Sequence, residues 1–391
     1  MSFTNPPLSR EQFDFGNVVW VMHCAEGPVP RAAARAVDEI MQRELQPWTL
    51  RWNEDFIGLP AGVRRQAATL LAAREQDISL VSSTGSGLAT VAQGLPWKDG
   101  DEVVAPLGEF PTNAWPWLVL RSRGVSFREV PLWEGHQSGS AALSSTPPPI
   151  DVDPEARLIA AVTSRTALVT VSSVRFQDGL ALDIGRLGAA LAQRGIPLVC
   201  DAIQGVGTRL CTLDGVSALA CNGHKGLLAP QGLGLLWTEP AFRSRIVPPG
   251  GWLAVEEATD FTRPGTDFAR AFRVNGEALE VGVPNLVGAA ALHASLAIIN
   301  SAGVAAIAAH IDELQSALLE ALRNHDVWKH DVSRLSALRM RGRLGAILSL
   351  HHGGRGNAWL QALLRDGMRR QIFASVREGY LRIAWHGWHD E

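Results

Sequence analysis

The sequence predicts an α/β fold, a mainly parallel central sheet flanked by helices, with a smaller α+β C-terminal domain. Three observations carry this. Short apolar runs alternate with helix-like segments from about residue 75 to about residue 240, the pattern of a sheet covered on both faces. Beyond about Leu286 the chain turns into a long helical stretch, two strand-like runs and one more helix. The length of 391 residues, with 46% hydrophobic and 19% charged residues, suits two cores better than one. The expected division is an N-terminal segment 1–24 packing on the small domain, a large domain 25–283 and a small domain 284–391.

The elements follow in order. Pro28-Val-Pro30 marks the start of a helix over RAAARAVDEIMQREL. A second helix is expected around GVRRQAATLLAAREQ. Ile78–Val81 is a strand running into small polar residues and then a helix, and DEVVAPLG is another strand. WLVLRSRGVSFREVPL reads as helix, turn, strand. After a Ser- and Pro-rich loop over 135–149, ALVTVSSV is a strand, DIGRLGAALAQRG a helix, IPLVCDAIQGVG a strand with polar residues at its carboxyl edge, VSALACNGHKG a strand and loop, and GLGLLW a strand. The stretch from Leu286 to His325 reads as one long helical run; AILSLHH and YLRIAWH are strand-like, with a helix around NAWLQALLRDGM between them.

Bulk properties exclude some functions. A net charge of −3 argues against a nucleic-acid partner, which calls for a basic excess. No run reaches the roughly 18–20 apolar residues that span a bilayer, and MSFTNPPLSREQFDFG has no apolar signal core. A soluble, cytoplasmic protein without membrane association is expected. The four cysteines, Cys24, Cys200, Cys211 and Cys221, form no CxxC pair and no metal-like cluster with histidine. Cys200, in IPLVC, reads as a buried small hydrophobe.

Three features sit where strands end, the edge at which such sheets bind ligands. Ser83, Thr84, Gly85, Ser86 and Gly87 lie between a strand and a helix; they make either a capped tight turn or an anion cradle at a helix N-terminus. No Walker lysine accompanies them. Asp201 ends an apolar strand, with Gln204 three residues on; it is either a cap or surface ion pair, or a buried carboxylate that needs a partner. Lys225 sits in CNGHKGLLAPQGLG. A loop lysine is commonly a solvated charge, but small apolar neighbours would desolvate this amine, lower its pKa and make it nucleophilic toward carbonyls. A phosphate cradle, an acid for a pyridine nitrogen and a lysine for an aldehyde are together the demands of pyridoxal phosphate.

STGSGLATV, GDEVVAPLGEFPTNAWPW, VCDAIQGVG, NGHKGLLAPQGLG, GVPNLVGAAAL and VREGYLRIAWH, in this order from about Ala25 to Trp388, resemble the class V aminotransferase family of fold-type I pyridoxal-phosphate enzymes. That family includes cysteine desulfurases, kynureninase and isopenicillin N epimerase-like proteins. The resemblance implies that Lys225 forms the Schiff base, Asp201 pairs with the pyridinium nitrogen and Gln204 reaches the phenolic oxygen. It implies that Thr84, with the backbone at Ser83 and Gly85, holds the phosphate, helped by Asn222 and His224. FPTN resembles kynureninase, with Phe110 stacking on the ring and Asn113 beside it. Arg382 would bind the α-carboxylate of an amino-acid substrate, with Arg377 a second candidate; a surface charge is the alternative for both.

Two departures matter. No cysteine follows Cys221, so the small domain lacks the thiol a desulfurase uses, which argues against that activity. Val283 stands in GVPN where desulfurases carry a threonine that reaches the phosphate across a dimer interface. A homodimer is still expected. The HKGLLAPQG spacing resembles the isopenicillin N epimerase-like branch. Trp115, Trp117 and Trp252 are candidates for an apolar substrate pocket or for packing. The resulting expectation is an enzyme acting at the α-carbon of an amino acid, an aminotransferase by family label. An epimerase or a lyase is the alternative, as is a non-catalytic binding protein on the same fold. A nicotinamide-binding fold lacks its GxGxxG turn.

Overall fold

A computed structural model describes residues 5–390. The large sheet has seven strands: β1 (Ile78–Val81), β2 (Glu102–Pro106), β3 (Ser126–Val130), β4 (Thr166–Ser172), β5 (Leu198–Asp201), β6 (Ala218–Asn222) and β7 (Gly234–Thr238). Their spatial order is β1-β7-β6-β5-β4-β2-β3. Pairing is parallel from β6 through β3, and β7 runs antiparallel to both of its neighbours.

The central strands are largely apolar because both faces are covered, whereas the edge strand β3, SFREV, is partly exposed. Val103, Leu168, Val199, Ala218 and Leu236 point into one core. Their chain neighbours Val104, Val169, Cys200, Leu219 and Leu235 point into the other, as strand alternation requires. Cys200 is buried, as expected.

Helices α1 (Arg31–Leu45) and α2 (Leu59–Leu71) pack on α6 (Leu286–Ala302). Between them in the chain lie α3 (Thr84–Gly94), α4 (Pro154–Ala161) and α5 (Ile184–Ala192). Caps fix several starts. Ser83 and Ser86 form a reciprocal capping box on α3, Asp183 accepts from Arg186 N on α5, and Asn285 accepts from Gly288 N on α6. The second helix begins three residues before the expected GVRRQ run and stops at Leu71, because Ala72 turns left-handed at φ 51°.

The expected single helical run after Leu286 is two helices, α6 and α7 (Val304–Ala321), bent by 73°. Gly303, at φ 82°, makes the break. Sequence reading missed α8 (Lys329–Met340); its polar composition leaves little apolar periodicity to follow. A three-stranded sheet follows, with β10 (Tyr380–Ala384) between β8 (Ile347–His351) and β9 (Ser375–Arg377). Helix α9 (Asn357–Arg369) lies between β8 and β9 in the chain.

The N-terminal segment crosses to this part of the molecule. Val19–Trp20 pairs in parallel with Ile372–Phe373, Val21 O accepts from Ala384 N, and Gly387 O accepts from Leu8 N. Phe13 packs on Trp388.

Candidate active site

The carboxyl ends of β1, β2, β5 and β6 face one cavity of about 400 Å³. Ser83, Thr84, Gly85, Phe110, Asp201, Gln204, Asn222, His224, Lys225, Arg377 and Arg382 all line it. Eleven of the twelve residues expected from sequence therefore meet at one place. The exception is Asn113. The 3₁₀ turn Pro111–Asn113 directs it into the sheet, where it is fully buried. There its Oδ1 accepts from Thr170 Oγ1 (2.6 Å) and Trp117 Nε1 (3.3 Å). Thr112 lines the cavity instead.

The tryptophans do not shape the cavity. Trp117 is core, Trp115 is exposed, and Trp252 lies near Trp52.

Lys225 is held by an unusually constrained loop. Leu228 N donates to Lys225 O (3.1 Å) and Ala229 N to Gly223 O (2.9 Å). Leu228 itself is fully buried at φ 57°, a costly conformation for a bulky residue that only surrounding contacts sustain. One of these is Ser295 Oγ, which donates to Leu228 O at 2.8 Å. A Cβ at Gly27 would come within 2.2 Å of Lys225 O, so the N-terminal segment presses on the loop as only glycine can. Lys225 is 9% exposed. Burial lowers its pKa, and Asp201 opposes the shift. Its Nζ lies 5.6 Å from the Phe110 ring centroid.

Asp201 is fully buried, and burial raises its pKa to about 7 despite a 3.0 Å hydrogen bond from Ile203 N. Nearby Glu109, which sequence reading missed, adds to the rise. Glu109 accepts from Ser172 N (2.8 Å) and Ser172 Oγ (2.5 Å). It was hidden because its partner is 63 residues away.

Among the described residues, several buried polar atoms here lack partners: Thr84 Oγ1, Gln204 Oε1 and His224 Nδ1. Buried polar groups are normally satisfied, so these atoms await a ligand. Ser83 spends its hydroxyl on the capping box, while the first-turn N–H groups of Thr84 and Gly85 have no acceptor within α3. That corner suits a phosphate. Gln204 Nε2 donates to Cys24 O (2.9 Å), leaving its second N–H for a phenolic oxygen. Burial and Lys225 hold His224 neutral, with its pKa lowered to about 4. A carboxyl raised by isolation, an amine lowered by burial, an aromatic face and a phosphate corner fit pyridoxal phosphate.

The opposite wall comes from elsewhere in the chain. Arg382, on β10, is 3% exposed. It donates from Nε to Ser375 Oγ (3.0 Å) and from a terminal nitrogen to Phe176 O (2.6 Å). Among the described residues no carboxylate forms an ion pair with it. A buried guanidinium without an acid calls for an anionic ligand. Arg377 is exposed at the rim. Cys24 also lines the cavity, although sequence reading assigned no thiol to it.

The description "Aminotransferase class-V" belongs to a family model that matches residues 51–339. A probable cysteine desulfurase of Methanothermobacter thermautotrophicus is 30% identical over 63% of this chain and 57% of its own length. An isopenicillin N epimerase of Streptomyces clavuligerus is 28% identical over 57% of this chain and 54% of its own. These alignments span little more than half of either relative. Among solved structures, the apo cysteine desulfurase of Thermococcus onnurineus NA1 superposes with a TM-score of 0.76 at 21% identity, over 100% of this chain and 95% of that one. The cystine C–S lyase C-DES, in complex with cysteine persulfide, does so with a TM-score of 0.80 at 19% identity, over 96% of each chain.

Proposed function

The chain belongs to the class V aminotransferase family of pyridoxal-phosphate enzymes, and we propose that it removes the α-proton of an amino acid and expels a sulfur substituent from its β-carbon. The observation that carries the reading is the meeting of a desolvated amine, Lys225, and an unpaired buried guanidinium, Arg382, across one cavity. When bound, pyridoxal phosphate withdraws electrons from the α-carbon of an attached amino acid. The protein's own groups do the rest. Thr84 and the first-turn N–H groups of α3 hold a phosphate. Asp201 would hold a proton on the cofactor's ring nitrogen, and Phe110 would offer an aromatic face to it. Arg382 takes the α-carboxylate with its remaining N–H groups, which fixes the α-carbon near Lys225. The Lys225 amine, its pKa lowered by burial, then takes the α-proton.

Relatives and neighbours named for carbon–sulfur chemistry support a sulfur leaving group. They favour the lyase alternative; the sequence argued only against a cysteine desulfurase. The missing small-domain cysteine stands in the way only of sulfur transfer to a thiol there; elimination requires no such acceptor. A homodimer also fits. Phe261, Phe268, Val274, Val281 and Val283 are more than half exposed, an apolar surface suited to a second copy. Light scattering at micromolar concentration tests it, and a monomer would refute it.

The activity test supplies S-methyl-L-cysteine and follows pyruvate. Pyruvate release without a keto-acid acceptor supports elimination. Solvent deuterium at the α-carbon with loss of optical purity and no pyruvate would overturn it in favour of epimerisation. A requirement for a keto acid would overturn it in favour of transamination.

A further inference from the structure

Cys24 reaches the cavity from the N-terminal segment. Its backbone carbonyl is gripped by Gln204 Nε2 at 2.9 Å, and flanking bonds tie the segment to β10. Among the described residues its Sγ has one weak hydrogen-bonding neighbour, Ser375 Oγ at 3.9 Å, the same hydroxyl that accepts from Arg382 Nε. Cys24 lines the same cavity as Lys225 and Arg382. The thiol thus shares a cavity with the group that would take the α-proton, and shares the Ser375 hydroxyl with the group that would hold the substrate carboxylate. The orphaned Thr84 Oγ1 and Gln204 Oε1, on residues 2% and 6% exposed, line the same cavity and independently mark it as a ligand site.

A substrate anchored by its carboxylate at Arg382 and its amine toward Lys225 has its α-carbon between them. Its β-substituent then extends into the cavity that Cys24 lines. We propose that Cys24 is the general acid that protonates the departing sulfur. This rests on the elimination reading. Lys225 takes the α-proton; the bond between the β-carbon and sulfur breaks with its electron pair going to sulfur; the Sγ–H proton of Cys24 moves to that sulfur, releasing a neutral thiol. The three-carbon fragment leaves as 2-aminoacrylate, which water converts to pyruvate and ammonia. Cys24 recovers its proton from the Lys225 ammonium, so no oxidant or reductant is consumed.

The test compares wild type, Cys24→Ala and Cys24→Ser holoenzymes on two substrates. S-methyl-L-cysteine expels a thiolate that needs a proton, whereas β-chloro-L-alanine expels chloride, which does not. The expected result is a loss of about 100-fold on S-methyl-L-cysteine in both variants, against about threefold or less in the initial rate on β-chloro-L-alanine. Equal losses on both substrates, or none on either, would overturn the assignment. So would a stable sulfur adduct on Cys24 by peptide mass, which would mean sulfur transfer to that thiol. Failure of wild type to release pyruvate from either substrate, with cofactor bound, would overturn the elimination reading itself and this assignment with it.

A second readout needs no turnover. Methyl methanethiosulfonate should modify Cys24 faster than the core thiols Cys200 and Cys221, and pyridoxal phosphate should slow that modification. Modification no faster than that of the core thiols would show that Cys24 does not face the cavity.

Discussion

The two walls of the cavity are built differently. The cofactor wall is made at the carboxyl ends of four strands of one sheet: Ser83–Gly85 after β1, Phe110 after β2, Asp201 at the end of β5 and Asn222–Lys225 at and after the end of β6. Local hydrogen bonds shape two of these segments, the Ser83–Ser86 box and the Lys225–Leu228 turn, and long-range bonds from Ser172 to Glu109 and from Ser295 to Leu228 add to them. The substrate wall joins three distant pieces, Cys24, Phe176 and the β9–β10 pair, through contacts that cross the fold. The cofactor wall is therefore anchored within and around one sheet. The substrate wall is only as well placed as the N-terminal segment and the small sheet are.

Breaking that contrast begins with Lys225→Ala, which should lower turnover at least ~10³-fold. It should also abolish the near-visible absorbance band that borohydride bleaches in wild type. A borohydride-fixed label at any residue other than Lys225 would refute the assignment of the lysine.

Arg382→Leu should reduce kcat/KM by about 10²- to 10³-fold, the cost of losing a buried charged partner, while leaving the cofactor spectrum intact. A matching loss of cofactor would mean that the two walls are not separable.

Asp201→Asn sharpens the electrostatic side. Burial raises the folded pKa to about 7 from an ordinary 3.8. The cofactor-free fold thus keeps a proton that the unfolded chain has already released. Stability from this group falls as pH rises from about 4 through 7, by at most ~4 kcal/mol. The asparagine variant removes that fall. The two cofactor-free proteins should melt together near pH 4, and the variant should melt higher at pH 8. A variant that melts lower at pH 8 would mean that the carboxylate has a cationic partner within the protein.

Thr84→Ala should have the smallest effect, weakening pyridoxal phosphate about tenfold through one lost hydrogen bond to a charged group. Unchanged affinity by fluorescence titration would take Thr84 out of the phosphate corner.

The same contrast explains what could be read from sequence. Lys225, Asp201 and Ser83–Gly85 announce themselves because the chain neighbours that create their chemistry are also their neighbours in space. Cys24 did not, because a count of cysteines by domain cannot foresee that Val19–Trp20 pairs beside Ile372–Phe373. Glu109 was missed for the same reason, its partner being Ser172. Asn113 was misplaced by a single tight turn, which decides whether a side chain faces sheet or cavity. The strands were legible as apolar runs. The break at Gly303 was not, since α6 and α7 are both apolar and one glycine alone is a weak stop signal.

The antiparallel strand β7 bears on how the molecule is made. Ile78 pairs with Trp237, so the first strand of the large sheet can dock only when its last strand exists. During synthesis most of the large domain would emerge with β1 unpaired and an open edge on β6. Such long-range closure is slow and exposes aggregation-prone edges. The phosphate corner follows β1 and the lysine loop precedes β7, so the two come together only at that late closure. A nascent chain would therefore gain its cofactor site, and the stabilisation that binding confers, at one of the last steps of assembling the sheet.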